Sequence, residues 1–216
     1  MIKARHNHII SVFFDYLMRG WLHLAFRRIH IHNHVADQGG PILLVSNHFS
    51  WWDGFIARYV NIKTFGRKLF VMMLEEQLKS NAFLRKLGAF SIKKNSRSAL
   101  DSLQYAGSVL KNRNHLLLLF PQGQFQSIHT QSLSFEKGWT RILLKASPGT
   151  QLVFMACMID YFAHRRPTLN IYLHKVSAAS LREHTKPEEL AGMLEKCYHA
   201  FYAECVDSQN KQTNPQ

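Results

Sequence analysis

Leu116, Leu117, Leu118, Leu119 and Phe120 form an apolar run without a polar partner at any second position. A half-buried strand alternates, so a run of this kind predicts a strand covered on both faces. Ile42 to Val45 repeats the pattern after the Gly39-Gly40-Pro41 break. Further strands are predicted at Leu69 to Met73, Ala89 to Lys93, Leu116 to Phe120, Leu152 to Ile159 and Leu169 to His174. Between them lie helical patterns over about 96–112, 136–147 and 186–206. The last resembles a capped helix, with Thr185 and Glu188 as a capping box and Pro187 in the first turn. Strands and helices in alternation predict an α/β domain, with a mostly parallel or mixed sheet flanked by helices.

The amino-terminal stretch reads differently. Ile10, Phe13, Phe14, Leu17, Met18, Trp21 and Leu24 recur at helical spacing, which predicts an amphipathic helix over about 8–29. Lys3, Arg5, Arg19, Arg27 and Arg28 flank the stripe. Such a helix suits a bilayer interface, with Phe13, Phe14 and Trp21 among acyl chains and cations near lipid phosphates. The expected organisation is therefore a membrane-associating helical segment at 1–35, an α/β domain at 36–207 and a disordered tail at 208–216. Lys and Arg number 27 against 14 Asp and Glu, a balance of +13 that favours an anionic partner. No helix-turn-helix, zinc finger or aromatic RNA-binding motif accompanies that charge, so an anionic membrane surface is expected rather than nucleic acid. Three cysteines without CxxC spacing fit a reducing compartment. No run of 18 apolar residues and no cleavable leader is apparent, so the expected location is peripheral, on the cytoplasmic face of a membrane. His30, His32 and His34 alternate on one stretch, but no other ligands cluster there and no metal is expected.

Two segments carry chemistry. Ser46-Asn47-His48-Phe49-Ser50-Trp51-Trp52-Asp53 directly follows a buried strand. Five steps along one helix turn His48 and Asp53 about 140° apart. They meet only if His48 sits in the turn and Asp53 on the following helix. A carboxylate on one imidazole nitrogen fixes the tautomer and leaves the other nitrogen as a base for an alcohol proton. His32 and Asp37 have the same spacing without a preceding apolar strand, and that pair reads as a coincidence. Trp51, Trp52 and Phe55 stand beside the base, one tryptophan predicted inward and the other on an acyl groove or lipid. The second segment, Phe120-Pro121-Gln122-Gly123-Gln124-Phe125-Gln126-Ser127, also follows a buried strand. Pro121 and Gly123 define a turn, and the amides supply donors and acceptors.

Together these segments resemble the glycerolipid acyltransferase family, which includes the lysophosphatidic acid acyltransferases. Asn47, His48 and Asp53 match its Asn-His-x4-Asp block. Phe120, Pro121 and Gly123 match its Phe-Pro-Glu-Gly-Thr-Arg-Ser block. Gly88-Ala89-Phe90-Ser91-Ile92-Lys93 is similar to its second block, with Lys93 where arginine is usual. Phe135, Lys137 and Gly138 match a later Phe-x-Lys-Gly turn. The resemblance covers about residues 40–160. It implies an O-acyltransferase that moves a fatty acyl group from acyl-CoA or acyl carrier protein, as co-substrate, to a lipid hydroxyl, with His48 as general base and Asp53 as its orienter. It further implies no cofactor, and substrate contacts at Asn47, Lys93, Lys94, Phe120, Pro121, Gln122, Gly123 and Gln124. Backbone N–H groups near Gly123, or a lysine, would meet the oxyanion.

Gln122 stands where the family has glutamate, and Phe125 where it has the phosphate-binding arginine. An arginine fork is not replaced by a neutral ring. The acceptor is then either a lysolipid whose phosphate meets Lys93, Lys94 or Arg97, or a lipid alcohol without phosphate there, glycosylated or carrying an amino acid. A basic lipid-binding protein without catalysis is the remaining alternative.

Overall fold

The apolar runs form the interior of a seven-stranded sheet in the computed structural model, which describes residues 1–93, 98–130, 132–177 and 186–213. The strands are β1 (Arg28–Asn33), β2 (Ile42–Ser46), β3 (Lys68–Leu74), β4 (Ala89–Ile92), β5 (His115–Leu119), β6 (Gln151–Asp160) and β7 (Thr168–Lys175). Their order is β1-β7-β6-β2-β5-β3-β4. All neighbours run parallel except β6 and β7, which form an antiparallel hairpin. The sheet is thus mixed and the class α/β.

Helices cover both faces, which is why β2 and β5 lack alternation. These are α1 (His8–Ala25), α2 (Asp53–Val60), α3 (Glu75–Ser80), α4 (Ser98–Val109), α5 (Arg141–Lys145) and α6 (Pro187–Thr213). Leu43, Val45, Leu117, Leu119 and Phe154 point to one core, with Ala106 of α4, Ile142 of α5 and Leu194 and Tyr198 of α6. Ile42, Leu44, Leu116, Leu118 and Met155 point to the other, with Met18 and Leu22 of α1 and Ile56 and Val60 of α2. Each such aliphatic side chain, fully buried, contributes roughly 1.5–3 kcal/mol. The parallel arrangement brings the carboxyl ends of β2 to β6 to one rim, where the starts of β7 and β1 also lie.

Three expected boundaries change. The helical stripe ends at Ala25, and residues 28–33 join the sheet as β1 instead of the amino-terminal helical segment. Ile29 and Ile31 pack on the core while Arg28 and His30 stay exposed, a period-two pattern. Residues before α1 also pair with the domain: Ser91 N–H donates to the Ile2 carbonyl at 2.9 Å, and Arg5 N–H to the Arg85 carbonyl at 2.9 Å. At the other end α6 continues to Thr213, so residues 208–213 are helical rather than a disordered tail. Gln209 is fastened there, accepting from Tyr172 Oη at 3.0 Å and donating to Asp160 at 2.6 Å. Thr185 of the expected capping box lies outside the described residues.

Candidate active site

His48 leaves the end of β2 in a turn, and Asp53 opens α2. The helix N-terminus favours a carboxylate at that position. Asp53 is fully buried. Its Oδ2 accepts from His48 Nδ1 at 2.8 Å and from the backbone N–H groups of Phe49 and Ser50 at 2.7 and 2.9 Å. Its Oδ1 accepts from Ser50 Oγ at 2.9 Å. Four donors fix the carboxylate, and Nδ1 carries the imidazole proton that it receives. Nε2 is the ring nitrogen not bonded to Asp53, and the His48 side chain keeps 20% of its surface exposed.

The second segment closes over the first. Gln122 Oε1 accepts from His48 N–H at 2.5 Å, while Gln122 Nε2 donates to Gln126 Oε1 at 2.9 Å. Gln126 N–H donates to the His48 carbonyl at 2.9 Å. His48 is therefore held by its ring and by both of its backbone polar groups. Phe120 stacks on the imidazole with centroids 4.1 Å apart and planes 14° from parallel. Phe125 lies 4.2 Å from the same ring and is 53% exposed.

Several residues expected to touch substrate do other work. Asn47 is buried, its amide donating to the Cys157 carbonyl at 3.0 Å and accepting from Cys157 N–H at 2.9 Å. Its N–H donates to Tyr198 Oη at 2.8 Å, and that hydroxyl donates to the Met155 carbonyl at 2.7 Å. Asn47 thus clamps β2 to β6 and to α6. Pro121 and Gln122 are buried, and the Pro121 carbonyl accepts from Glu136 N–H at 2.8 Å, which ties in the Phe-x-Lys-Gly turn. Gly123 adopts φ of +65°, and its N–H donates to the Phe120 carbonyl at 3.1 Å, so that N–H is not spare for an oxyanion. Gln124 is exposed at the turn. Lys93 directly follows β4 on the same rim, three strand positions from β2, or about 14 Å at roughly 4.8 Å per strand. Lys94 and Arg97 lie outside the described residues. Gly88, before β4, takes φ of +106°, and a Cβ there would stand 2.1 Å from the Leu69 carbonyl. Only glycine fits that position.

The aromatic group divides. Trp51 is exposed, and Trp52 is half-buried against Phe26 at 6.0 Å. Trp51 contacts Phe55 at 4.4 Å and Trp21 of α1 at 6.4 Å. Phe13 is exposed, but Phe14, expected to face acyl chains, is buried against Phe55 at 5.5 Å. The α1 stripe is in fact two faces: Phe14, Met18 and Leu22 point inward, and Ile9, Phe13, Tyr16, Leu17 and Leu24 point outward. Arg58 of α2, itself buried, pairs with Asp15 and fastens α1.

His32 and Asp37 do not pair. His32 bonds Asn170 at 3.1 Å and stacks on Tyr172, while Asp37 bridges Arg67 at 2.7 Å. No group of three His, Cys, Asp or Glu that would hold a metal ion occurs among the described residues. Cys157 lies under the site, and burial pushes its thiol well above the ordinary range, with the Asp53 carboxylate adding to the effect. It is not poised as a thiolate nucleophile. Ser50, Gln126 and Tyr198 were missed from the sequence. Ser50 had a local signal, three residues before a helix-opening aspartate; Tyr198 is 151 residues from Asn47 and had none.

Residues 28–160 match the family model described as Acyltransferase. No curated protein matches the chain.

Proposed function

The chain belongs to the acyltransferase family, and from that premise we propose that it transfers a fatty acyl group from a thioester, acyl-CoA or acyl carrier protein, to the hydroxyl of a lipid acceptor. The bond between His48 Nδ1 and Asp53 at 2.8 Å carries the reading, because it leaves Nε2 as an oriented base. The acceptor hydroxyl gives its proton to Nε2 as its oxygen attacks the thioester carbonyl. The tetrahedral intermediate collapses with cleavage of the C–S bond, and the departing thiolate takes the proton back from His48. A thiol with pKa of roughly 8.5 leaves without a covalent enzyme intermediate. Asp53 stabilises the imidazolium that forms between the two steps.

Phe125 favours one acceptor class. Its ring stands 4.2 Å from the base in the place of the family's arginine. An apolar wall there supports an acceptor that bears no phosphate beside the reacting hydroxyl, such as a glycosylated or amino-acid-bearing lipid alcohol. Lys93, about three strands away, suits a more distant anion. The outward face of α1 and the exposed Trp51 fit a protein lying on a membrane surface, with no helix among the described residues long and apolar enough to cross it.

The test is to incubate the purified protein with labelled acyl-CoA or acyl carrier protein and a panel of lysolipids and lipid alcohols, identifying products by mass. His48→Ala should lower turnover by about 10²–10⁴ while the circular dichroism stays unchanged. Undiminished product from that variant would remove the mechanism. Thiol release that needs no acceptor would point to hydrolysis instead.

A further inference from the structure

The β6–β7 hairpin ends in Tyr161-Phe162-Ala163-His164-Arg165-Arg166, all exposed. Tyr161 and Phe162 are each 58% exposed. Among the described residues, Phe162 is the one non-glycine residue with positive φ, at +44°. A side chain in the left-handed region is strained, and glycine or asparagine would relieve it. The ring itself stands in solvent, outside both cores.

The tip does not stand alone. Arg166 Nη1 donates to the carbonyls of His23 and Leu24 at 3.1 and 3.4 Å, closing the carboxyl end of α1. Arg27 N–H donates to the Pro167 carbonyl at 2.8 Å. The hairpin is therefore continuous with the outward face of α1 at Leu24, and through Trp21 with Trp51 beside the site. It lies on the rim that carries His48. Below the tip is an open cavity of about 410 Å³, lined by Arg27, Arg28, His30 and Phe162 among others. Arg165 and His164 are exposed next to it. Aromatic rings ringed by arginines, with Asp160 bonded inward to Gln209, complement an anionic apolar-backed surface.

We propose that the β6–β7 tip is a second membrane contact, in which Tyr161 and Phe162 enter the interface of an anionic phospholipid bilayer and Arg27, Arg28 and Arg165 meet lipid phosphates. It extends the reading of α1 as a bilayer-lying helix and stands on separate residues. Contact at α1 alone would leave the domain free to roll about the helix axis. Contact at the hairpin as well fixes that angle and turns the rim toward the lipid.

The full chain is tested by co-sedimentation with vesicles of phosphatidylcholine and of phosphatidylcholine with about a third phosphatidylglycerol. Tyr161→Asp/Phe162→Asp should weaken partition into the anionic vesicles by tenfold or more, from two rings and a repelled surface charge. Phe162→Gly is the decisive companion: it should raise the thermal midpoint, because strain is relieved, yet still weaken vesicle binding several-fold. Anionic-vesicle binding equal to that of the parent in both variants overturns the proposal, as does a parent that binds neither vesicle. A Phe13→Asp/Leu24→Asp variant separates the two contacts: loss there with no loss at the hairpin keeps α1 and removes the tip. Acyl transfer is not the readout, so failure of the enzymatic reading leaves the result interpretable.

Discussion

His48 is fixed by more groups than its pairing with Asp53 alone. The ring is set by Asp53, the N–H by Gln122 and the carbonyl by Gln126. Gln122 is the residue on which the two motif segments depend, since it reaches His48 with one end of its amide and Gln126 with the other. A glutamate, which only accepts, would lose the second contact unless Gln126 turned its amide. Gln122→Ala should leave the His48 N–H without its partner and cost about 1–3 kcal/mol, roughly 2–12 °C of Tm in a chain of this size. If His48 is the base proposed above, turnover should fall as well, because His48 is no longer held at both backbone ends. A variant with the parent Tm and undiminished rate would show that the contact is incidental. The pairing of His48 with Asp53 was legible in the sequence, because a strand before the histidine and a helix at the aspartate dictate how five residues must fold. The partners of Gln122 and Asn47 were not, because a buried amide satisfies itself with whatever backbone the sheet brings near, 74 and 110 residues away.

At the scale of elements, periodicity located six of the seven strands. It overlooked β1, whose short alternation follows a longer helical run and was absorbed into it. Periodicity also merged the two faces of α1, since an apolar stripe turned inward and another turned outward read as one wide stripe. The arm before α1 carried no pattern at all, and His6 is one of its anchors beside the backbone bonds of Ile2 and Arg5. That imidazole donates to the Leu69 carbonyl at 2.8 Å and lies edge-on to Phe70 at 4.6 Å. Burial, aided by the nearby Lys68, His115 and Arg58 charges, holds its pKa below the ordinary value, against the opposing bond to Leu69. A depressed histidine favours the neutral form in the folded state. The stability it lends is fully present above the ordinary histidine pKa of about 6.5 and is lost as pH falls through the folded value. His115, whose ring touches Phe70 at 4.8 Å, is depressed by burial too and shifts the same way. Protection of the backbone amides of Ile2 and Arg5, measured as exchange relative to the intrinsic rate at each pH, should fall on acidification from pH 7.5 to about 5. His6→Gln retains a donor for Leu69 without titrating, so it should flatten most of that dependence. Exchange that follows the same pH curve in both proteins would assign the effect elsewhere.

For the whole molecule, the class was legible and the strand order was not. Non-alternating runs require helices on both faces, but they do not say which strands are neighbours. That order places β6 beside β2 and turns β7 back from it, and so sets the hairpin tip and the end of α1 on the rim of His48. The formal charge of +13 then has a place to act. Attraction of such a charge to an anionic bilayer is long-ranged only at low salt, since the screening length falls from about 10 Å at 0.1 M to about 3 Å at 1 M. Each basic residue near the surface contributes about 1 kcal/mol, so raising NaCl across that range should weaken partition into phosphatidylglycerol-containing vesicles by tenfold or more. The apolar contribution of α1 is not screened, and a residual salt-resistant fraction should remain. Phe13→Ser/Leu24→Ser should reduce that fraction to the share held by Tyr161 and Phe162 and leave the salt-sensitive slope in place. Binding indifferent to salt would mean that the cations do not face the lipid, and a residual fraction untouched by the double substitution would mean that α1 does not enter it.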